Sequence, residues 1–220
     1  MPLPPSSAAA PARTGARAPR QERGQKRIDA ILDAAATLIE EMGPDAVTVG
    51  AIGTRAGASK GSMYHFFPDR ESVLTALVER HVSALRSFLE EERAARAAEA
   101  ASSIDGAVRA FLGPVDAYVQ RHPDLTRILR EPANLKRFAD QRARLGETVE
   151  THAAWVLRVR YPSLDVATVT RASATMLAVT SGMRSERVLA LAGSLEGVAA
   201  EMRRVLGAYV ATYEREGGRM

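Results

Sequence analysis

Ser59, Lys60, Gly61, Ser62, Tyr64 and His65 place two hydroxyls, an ammonium, a phenol and an imidazole within seven positions. All five groups donate hydrogen bonds, and none stands beside the carboxylate pair or the base that acid–base or nucleophilic catalysis requires. Their chemical complement is an array of anionic and carbonyl oxygens, which the phosphates and base edges of a nucleic acid provide. Lys60 is one of three lysines, with Lys26 and Lys136, in a chain whose other cationic side chains are arginines. Slightly upstream, Thr48 and Arg55 add a further hydroxyl and a guanidinium.

Two short helices joined by a tight turn must carry these groups. Thr48 and Ser59 are N-cap residue types at the start of each helix. Val49, Ile52 and Ala56 form the packing side of the first, and Met63, Phe66 and Phe67 that of the second. Gly57 sits between them, where a steep crossing demands a positive φ that a side chain would oppose. Lys60, Gly61 and Ser62 then occupy the first turn of the second helix, the portion that meets base edges when such a helix lies in a major groove. Tyr64 and His65 stand further along it, within reach of backbone oxygens.

The order Thr48-x3-Ile52-x3-Ala56-Gly57-x-Ser59-Lys60-Gly61-x-x-Tyr64-His65-Phe66-Phe67, followed by Pro68-Asp69-Arg70-Glu71, resembles the tetracycline-repressor (TetR) family of transcriptional regulators. The resemblance covers residues 25–75 and implies DNA contacts from Thr48, Ser59, Lys60, Gly61, Ser62, Tyr64 and His65, with Arg55 as an addition. It departs from the family pattern at Gly50, Ala51 and Gly53. Each glycine weakens the first short helix by about 0.8–1.0 kcal/mol relative to alanine, and Ala51 removes the capping-box partner of Thr48.

The surrounding chain reads as all-α, with about nine helices: a three-helix helix-turn-helix domain over 25–70 and a larger helical ligand-binding and dimerisation domain over 71–216. Ile28, Ile31, Leu32, Ala35, Leu38, Ile39 and Met42 recur at helical spacing, and Gly43-Pro44 ends that helix. A long amphipathic helix follows over 69–98, then helices from Ser103 to Arg121 with a kink at Gly113-Pro114, from Pro123 to Leu129, over 134–160, over 166–182, at 186–191 and over 194–214. Residues 1–24 read as a disordered basic arm, since residues 1–22 hold five of the eleven prolines and few large apolar residues. The excess of Arg13, Arg17, Arg20, Arg23, Lys26 and Arg27 over Glu22 attracts phosphate.

In the second domain, Phe111, Val115 and Tyr118 share one helical face, and Leu145, Val149, His152 and Val156 another, with Trp155 adjacent. Phe111, Tyr118, Val149, His152 and Trp155 are therefore the candidate walls of a small-molecule site. The resemblance implies a homodimer through 166–182 and 194–214, and the apolar stripe of 194–214 and the Ala, Ser and Thr of 166–182 agree with it. A two-fold dimer requires a near-palindromic operator.

Several functions are disfavoured. The chain has no cysteine and hence neither disulfides nor thiolate metal sites, which suits a reducing cytoplasm. Charges interrupt every apolar run, so no membrane span is expected. His65, His81, His122 and His152 lack close ligand spacing, and no glycine-rich phosphate loop follows a strand, so neither metal, cofactor nor enzymatic turnover is expected. The expected function is a repressor released from a palindromic operator by a small molecule. The alternative is an architectural or cell-division factor that coats DNA without ligand control.

Overall fold

The computed structural model describes residues 17–185, 188 and 195–217; most of the basic arm and, apart from Val188, the helix expected at 186–191 lie outside them. Among the described residues the regular structure is helical throughout. The first helix, α1 (Arg17–Met42), starts eight residues ahead of the expected Gln25. Arginine, alanine, glutamine and glutamate favour helix over this stretch, and Pro19 falls in the first turn, where its missing N–H costs nothing. Gly43 at φ 81° then ends α1, its N–H donating to the Ile39 carbonyl. Ile31, Leu32, Ala35, Leu38 and Ile39 are buried as the spacing predicts, whereas Met42 is exposed.

The next helices are α2 (Val49–Arg55), α3 (Lys60–Phe66) and α4 (Arg70–Ser102). Asp69 begins α4 with a capping box: its carboxylate accepts from the Ser72 N–H, and the Ser72 hydroxyl lies within bonding distance of the Asp69 N–H. Ser103 ends α4 and caps α5 (Ile104–Arg121), its hydroxyl accepting from Gly106 N–H at 2.9 Å. α5 passes through Gly113-Pro114 as one helix.

α6 (Pro123–Arg130) follows. The single helix expected over 134–160 is instead two, α7 (Asn134–Arg137) and α8 (Ala139–Arg160). The break falls at Phe138, which leaves helical geometry (φ −103°, ψ 28°) and is fully buried. The Asn134 side chain holds α7 by donating to the Ile128 carbonyl. α9 (Val166–Met183) lies where expected, while the terminal stripe divides into α10 (Leu195–Val210) and α11 (Thr212–Gly217).

Two apolar cores organise these helices. The first runs from α1, α2 and α3 through Val73, Leu77, Val82 and Leu89 of α4 to Val115, Tyr118, Leu125, Ile128 and Phe138. The second gathers α5, α8, α9 and α10 around Phe111, Val156, Leu157, Met176 and Leu206. The helix-turn-helix unit thus shares one core with the lower half of the larger domain.

Polar contacts reinforce that joint. Arg127 of α6 donates to the Ile39 and Glu40 carbonyls at the C-terminal end of α1, at 3.2 and 2.7 Å, where a cation also meets the negative end of the helix dipole. Arg80 of α4 pairs with Asp33 of α1 at 2.6 Å. Arg70 donates to the Pro44 carbonyl.

Candidate nucleic-acid interface

The geometry of α2 and α3 follows from their caps. Thr48 Oγ1 accepts from Ala51 N–H and Ser59 Oγ from Ser62 N–H, each at 3.2 Å. Gly57 at φ 61° makes the turn between them. Ile52 and Met63 are buried, and the Ala58 N–H reaches back to the Gly53 carbonyl at 2.9 Å, drawing the start of α3 against α2.

Gly53 is not an enforced glycine. A Cβ there would meet Met63 Cγ at 3.5 Å and the Ala58 carbonyl oxygen at 3.7 Å, both ordinary contacts. Gly53→Ala should therefore raise unfolding stability by about 1 kcal/mol through helix propensity, measured as an increased denaturant midpoint at unchanged slope.

Anchoring one face of α3 leaves the other to solvent. Thr48, Ser59, Lys60, Gly61, Tyr64 and His65 are exposed and Ser62 half-buried; Tyr64 is 50% exposed while Met63, its neighbour, is at 2%. Arg55 is also exposed, but Glu41 of α1 grips it through two hydrogen bonds of 3.0 and 2.7 Å. Hydrogen bonding and charge from this partner pull the Glu41 carboxyl below its ordinary range and push the Arg55 guanidinium up.

One neighbour is absent from the set of candidate contacts drawn from sequence. Arg27 Nε donates to Ser62 Oγ at 3.3 Å, bringing the basic end of α1 against the first turn of α3. Arg23 and Lys26 are exposed on the same segment. The basic run of residues is visible in the sequence; its docking on α3 depends on the crossing of two helices.

In the larger domain, a cavity of about 430 Å³ lies between α4, α5, α6, α8 and α9. Phe111, Tyr118 and Val149 line it; His152 and Trp155 do not. His152 is fully buried, stacked between Phe111 and Trp155, and its Nε2 lies 3.0 Å from the Ala110 carbonyl oxygen. A carbonyl only accepts, so Nε2 carries the proton. That carbonyl would ordinarily accept from residue 114, but Pro114 has no N–H. His152 thus repairs the hydrogen-bond ladder of α5, and burial drives its pKa down to about 4.

The cavity wall is largely apolar but includes Arg130, Arg142 and Arg184. Arg184 pairs with Asp116. Arg142 has no carboxylate partner among the described residues, its buried Nε lacks any hydrogen bond, and burial disfavours its charged form.

A second polar cluster lies at the joint between α1 and the larger domain. His81 of α4 places Nδ1 3.0 Å from Tyr118 Oη and Nε2 2.8 Å from Asp124 Oδ2. His122 packs beside them, its ring 5.1 Å from that of His81 and 4.4 Å from that of Tyr118. Burial pushes the Tyr118 phenol up to about 12. Burial alone would raise the Asp124 carboxyl, but the His81 hydrogen bond and charge outweigh it and hold the group below its ordinary value. Spacing along the chain separates these histidines, and the fold brings them close: α4 and the α5–α6 junction place His81, His122 and Asp124 together.

A capped second helix with a row of exposed donors, set by a steep glycine turn against its supporting helix, defines a helix-turn-helix DNA-binding protein. Residues 31–77 match the family model described as bacterial regulatory proteins, tetR family, so this segment carries a DNA-binding domain of the TetR type.

A TetR-family transcriptional regulator from Streptomyces coelicolor is 23% identical with a TM-score of 0.53, the match covering 86% of this chain and 98% of that one. A TetR transcription regulator from Haloarcula marismortui is 14% identical with a TM-score of 0.65, over 86% and 98%. At these identities the likeness is one of fold. The nucleoid occlusion factor SlmA of Glaesserella parasuis is 28% identical over 109 residues, 50% of each chain. The chain spans about half the length of the curated SlmA relatives it matches. No helix among the described residues is long and apolar enough to cross a membrane.

Proposed function

We propose that the chain is a homodimeric repressor that binds a near-palindromic operator and is released from it by an amphipathic small molecule bearing an anionic group. The observation that carries the DNA-binding half is the row of exposed Ser59, Lys60, Gly61, Tyr64 and His65, with half-buried Ser62 among them, on a helix whose opposite face is locked into the core. Lys60 and the small residues beside it approach the groove, Tyr64 and His65 hold phosphates, and Thr48 contacts the backbone from the start of α2. Arg55 joins them by exchanging Glu41 for a phosphate, and Arg27 adds charge from α1.

Pairing through α9 and α10 is supported by the outer face of α9, where Ala167, Thr170, Ala174 and Ala178 are exposed. The Thr170 hydroxyl donates to the Val166 carbonyl, which spares that face an unsatisfied donor. Arg142 supports the ligand class, because an unpaired guanidinium in an apolar wall is complementary to a carboxylate or similar anion.

Selection of bound duplexes from a random pool should enrich a near-palindrome. Lys60→Ala should weaken binding to it and reduce the log–log salt slope by about 1. Tyr64→Ala should cost about tenfold in affinity, or about 1.4 kcal/mol. Long-chain carboxylates are expected to release the wild-type protein from the operator but not Arg142→Met. Absence of any enriched sequence, with both α3 variants binding as the wild type does, would overturn the reading.

A second reading, DNA coating without ligand control, is favoured by the similarity to SlmA, described as a nucleoid occlusion factor. Genome-wide mapping separates the two: a few palindromes near promoters mark a regulator, and many dispersed sites a coating factor.

A further inference from the structure

We propose that His81, His122 and Asp124 form a binding site for a divalent transition-metal ion, of which zinc is the representative, at the joint between the DNA-binding helices and the larger domain. Each residue offers one ligand atom, and the three atoms lie within 4.8 Å of one another. Two imidazoles and a carboxylate are a donor set that zinc accepts, leaving a fourth position for water.

The distances suit the ion. Tetrahedral donors at about 2.0–2.1 Å from zinc stand about 3.3 Å apart. His81 Nε2 and Asp124 Oδ2, at 2.8 Å, need only a slight opening to admit an ion between them. His122 supplies the larger movement. Its ring is half-buried and stands at the α5–α6 junction, outside either helix.

The surroundings of His81 also fit. Its Nδ1 faces Tyr118 Oη, and the Tyr118 hydroxyl is 3.3 Å from the His81 carbonyl oxygen. When that hydroxyl donates to the carbonyl, Nδ1–H donates to Oη, and the Nε2 lone pair is left facing a carboxylate oxygen. Something positive must then lie between them, a proton or a metal ion. A ligand histidine whose other ring nitrogen donates to a fixed oxygen is the arrangement that orients metal-binding imidazoles.

Entry and charge are provided by the adjoining cleft of about 370 Å³, lined by Asp33, Thr37 and Glu40 of α1, by Arg80 and His81 of α4, and by Tyr118, His122 and Asp124. Arg80 is the cation on this cleft wall, and Asp33 holds it at 2.6 Å. The position gives the ion a lever. Asp124 lies in the first turn of α6, and Arg127, one turn on, grips the end of α1. An ion drawing Asp124, His122 and His81 together fixes α6 against α4, and with them the placement of α1 relative to the larger domain.

The test uses the full chain without an affinity tag, stripped of metal by chelation. Calorimetric titration with zinc should show one ion per chain, and cobalt in its place should give the visible absorption of a tetrahedral nitrogen–oxygen site. His122→Ala removes a half-exposed ligand and should weaken zinc by more than about tenfold, with unchanged helical content by circular dichroism. Saturating zinc should raise the melting temperature of the wild type and leave that of His122→Ala where it is. If Asp124→Asn unfolds the chain, Asp124→Glu serves as the second variant, since it retains a carboxylate and should bind more weakly than the wild type. No saturable zinc binding, or binding that His122→Ala leaves intact, would overturn the proposal.

Discussion

Lowering the pH from about 7 to about 4 is expected to remove about 3 kcal/mol of folding stability through His152 alone. The residue is fully buried, and burial is the main force that takes its pKa from 6.5 to about 4. The Ala110 carbonyl partly opposes this, while the positive charges of Arg93 and Arg96 reinforce it and Glu92 opposes it weakly. Between the two pKa values the unfolded chain binds a proton that the folded chain refuses, so stability rises with pH across that window. The contribution is complete above about 6.5 and lost as pH approaches 4; the gap corresponds to about 3 kcal/mol. His152→Gln keeps a donor for the Ala110 carbonyl and cannot titrate, so urea unfolding over this range should show a shallower decline than the wild type. Equal declines in the two chains would sink the assignment.

The same residue offers a test of why it is there. His152→Leu leaves the Ala110 carbonyl without a donor, at a cost of about 1–3 kcal/mol at neutral pH. Pro114→Ala restores an N–H at residue 114, so the double variant should recover part of that loss. A double-mutant cycle with no coupling would show that His152 and Pro114 act independently.

The second large effect concerns Gly106. Gly106→Ala should destabilise the protein by about 3 kcal/mol, at the upper end for overpacking. A Cβ at this position would penetrate the Glu99 carbonyl oxygen, which is backbone in the last turn of α4, and would stand 2.6 Å from Ser102 Oγ. No rotamer change relieves the first clash. The N–H of Gly106 also donates to Ser103 Oγ, the N-cap of α5, so moving the residue away breaks the α4–α5 turn. Gly106 has no positive φ, and its requirement is one of space. Thermal unfolding of Gly106→Ala beside Gly61→Ala, whose Cβ would meet nothing within 4 Å, separates this contact from the helix-propensity gain of replacing a helical glycine.

Much of the helix-turn-helix was legible because its signals are local. Thr48 and Ser59 cap through the N–H three residues on, Gly57 adopts the positive φ its position calls for, and Gly43 ends α1. The long helices failed to announce their interruptions for the opposite reason. Phe138 breaks 134–160 because the first core takes up its ring, and no residue within a turn of it signals a stop. His152 was legible as a polar group on an apolar stripe, but not as the partner of a carbonyl 42 residues away that Pro114 leaves vacant.

That this chain is helical, where its helix-turn-helix lies, and which side chains of α3 face away from the core can all be read along the chain. Those properties follow from helical period, capping and glycine conformation, all set within a few residues. That Arg27 meets Ser62, that Arg142 lines a cavity without a carboxylate partner among the described residues, and that His81, His122 and Asp124 share one site emerges only when the helices pack. Each depends on how helices cross: His81 meets Tyr118 and Asp124 across 37 and 43 residues. The row Ser59 to His65 therefore carried its chemistry openly in the chain, while the cluster at the joint acquired its own only when α4, α5 and α6 packed together.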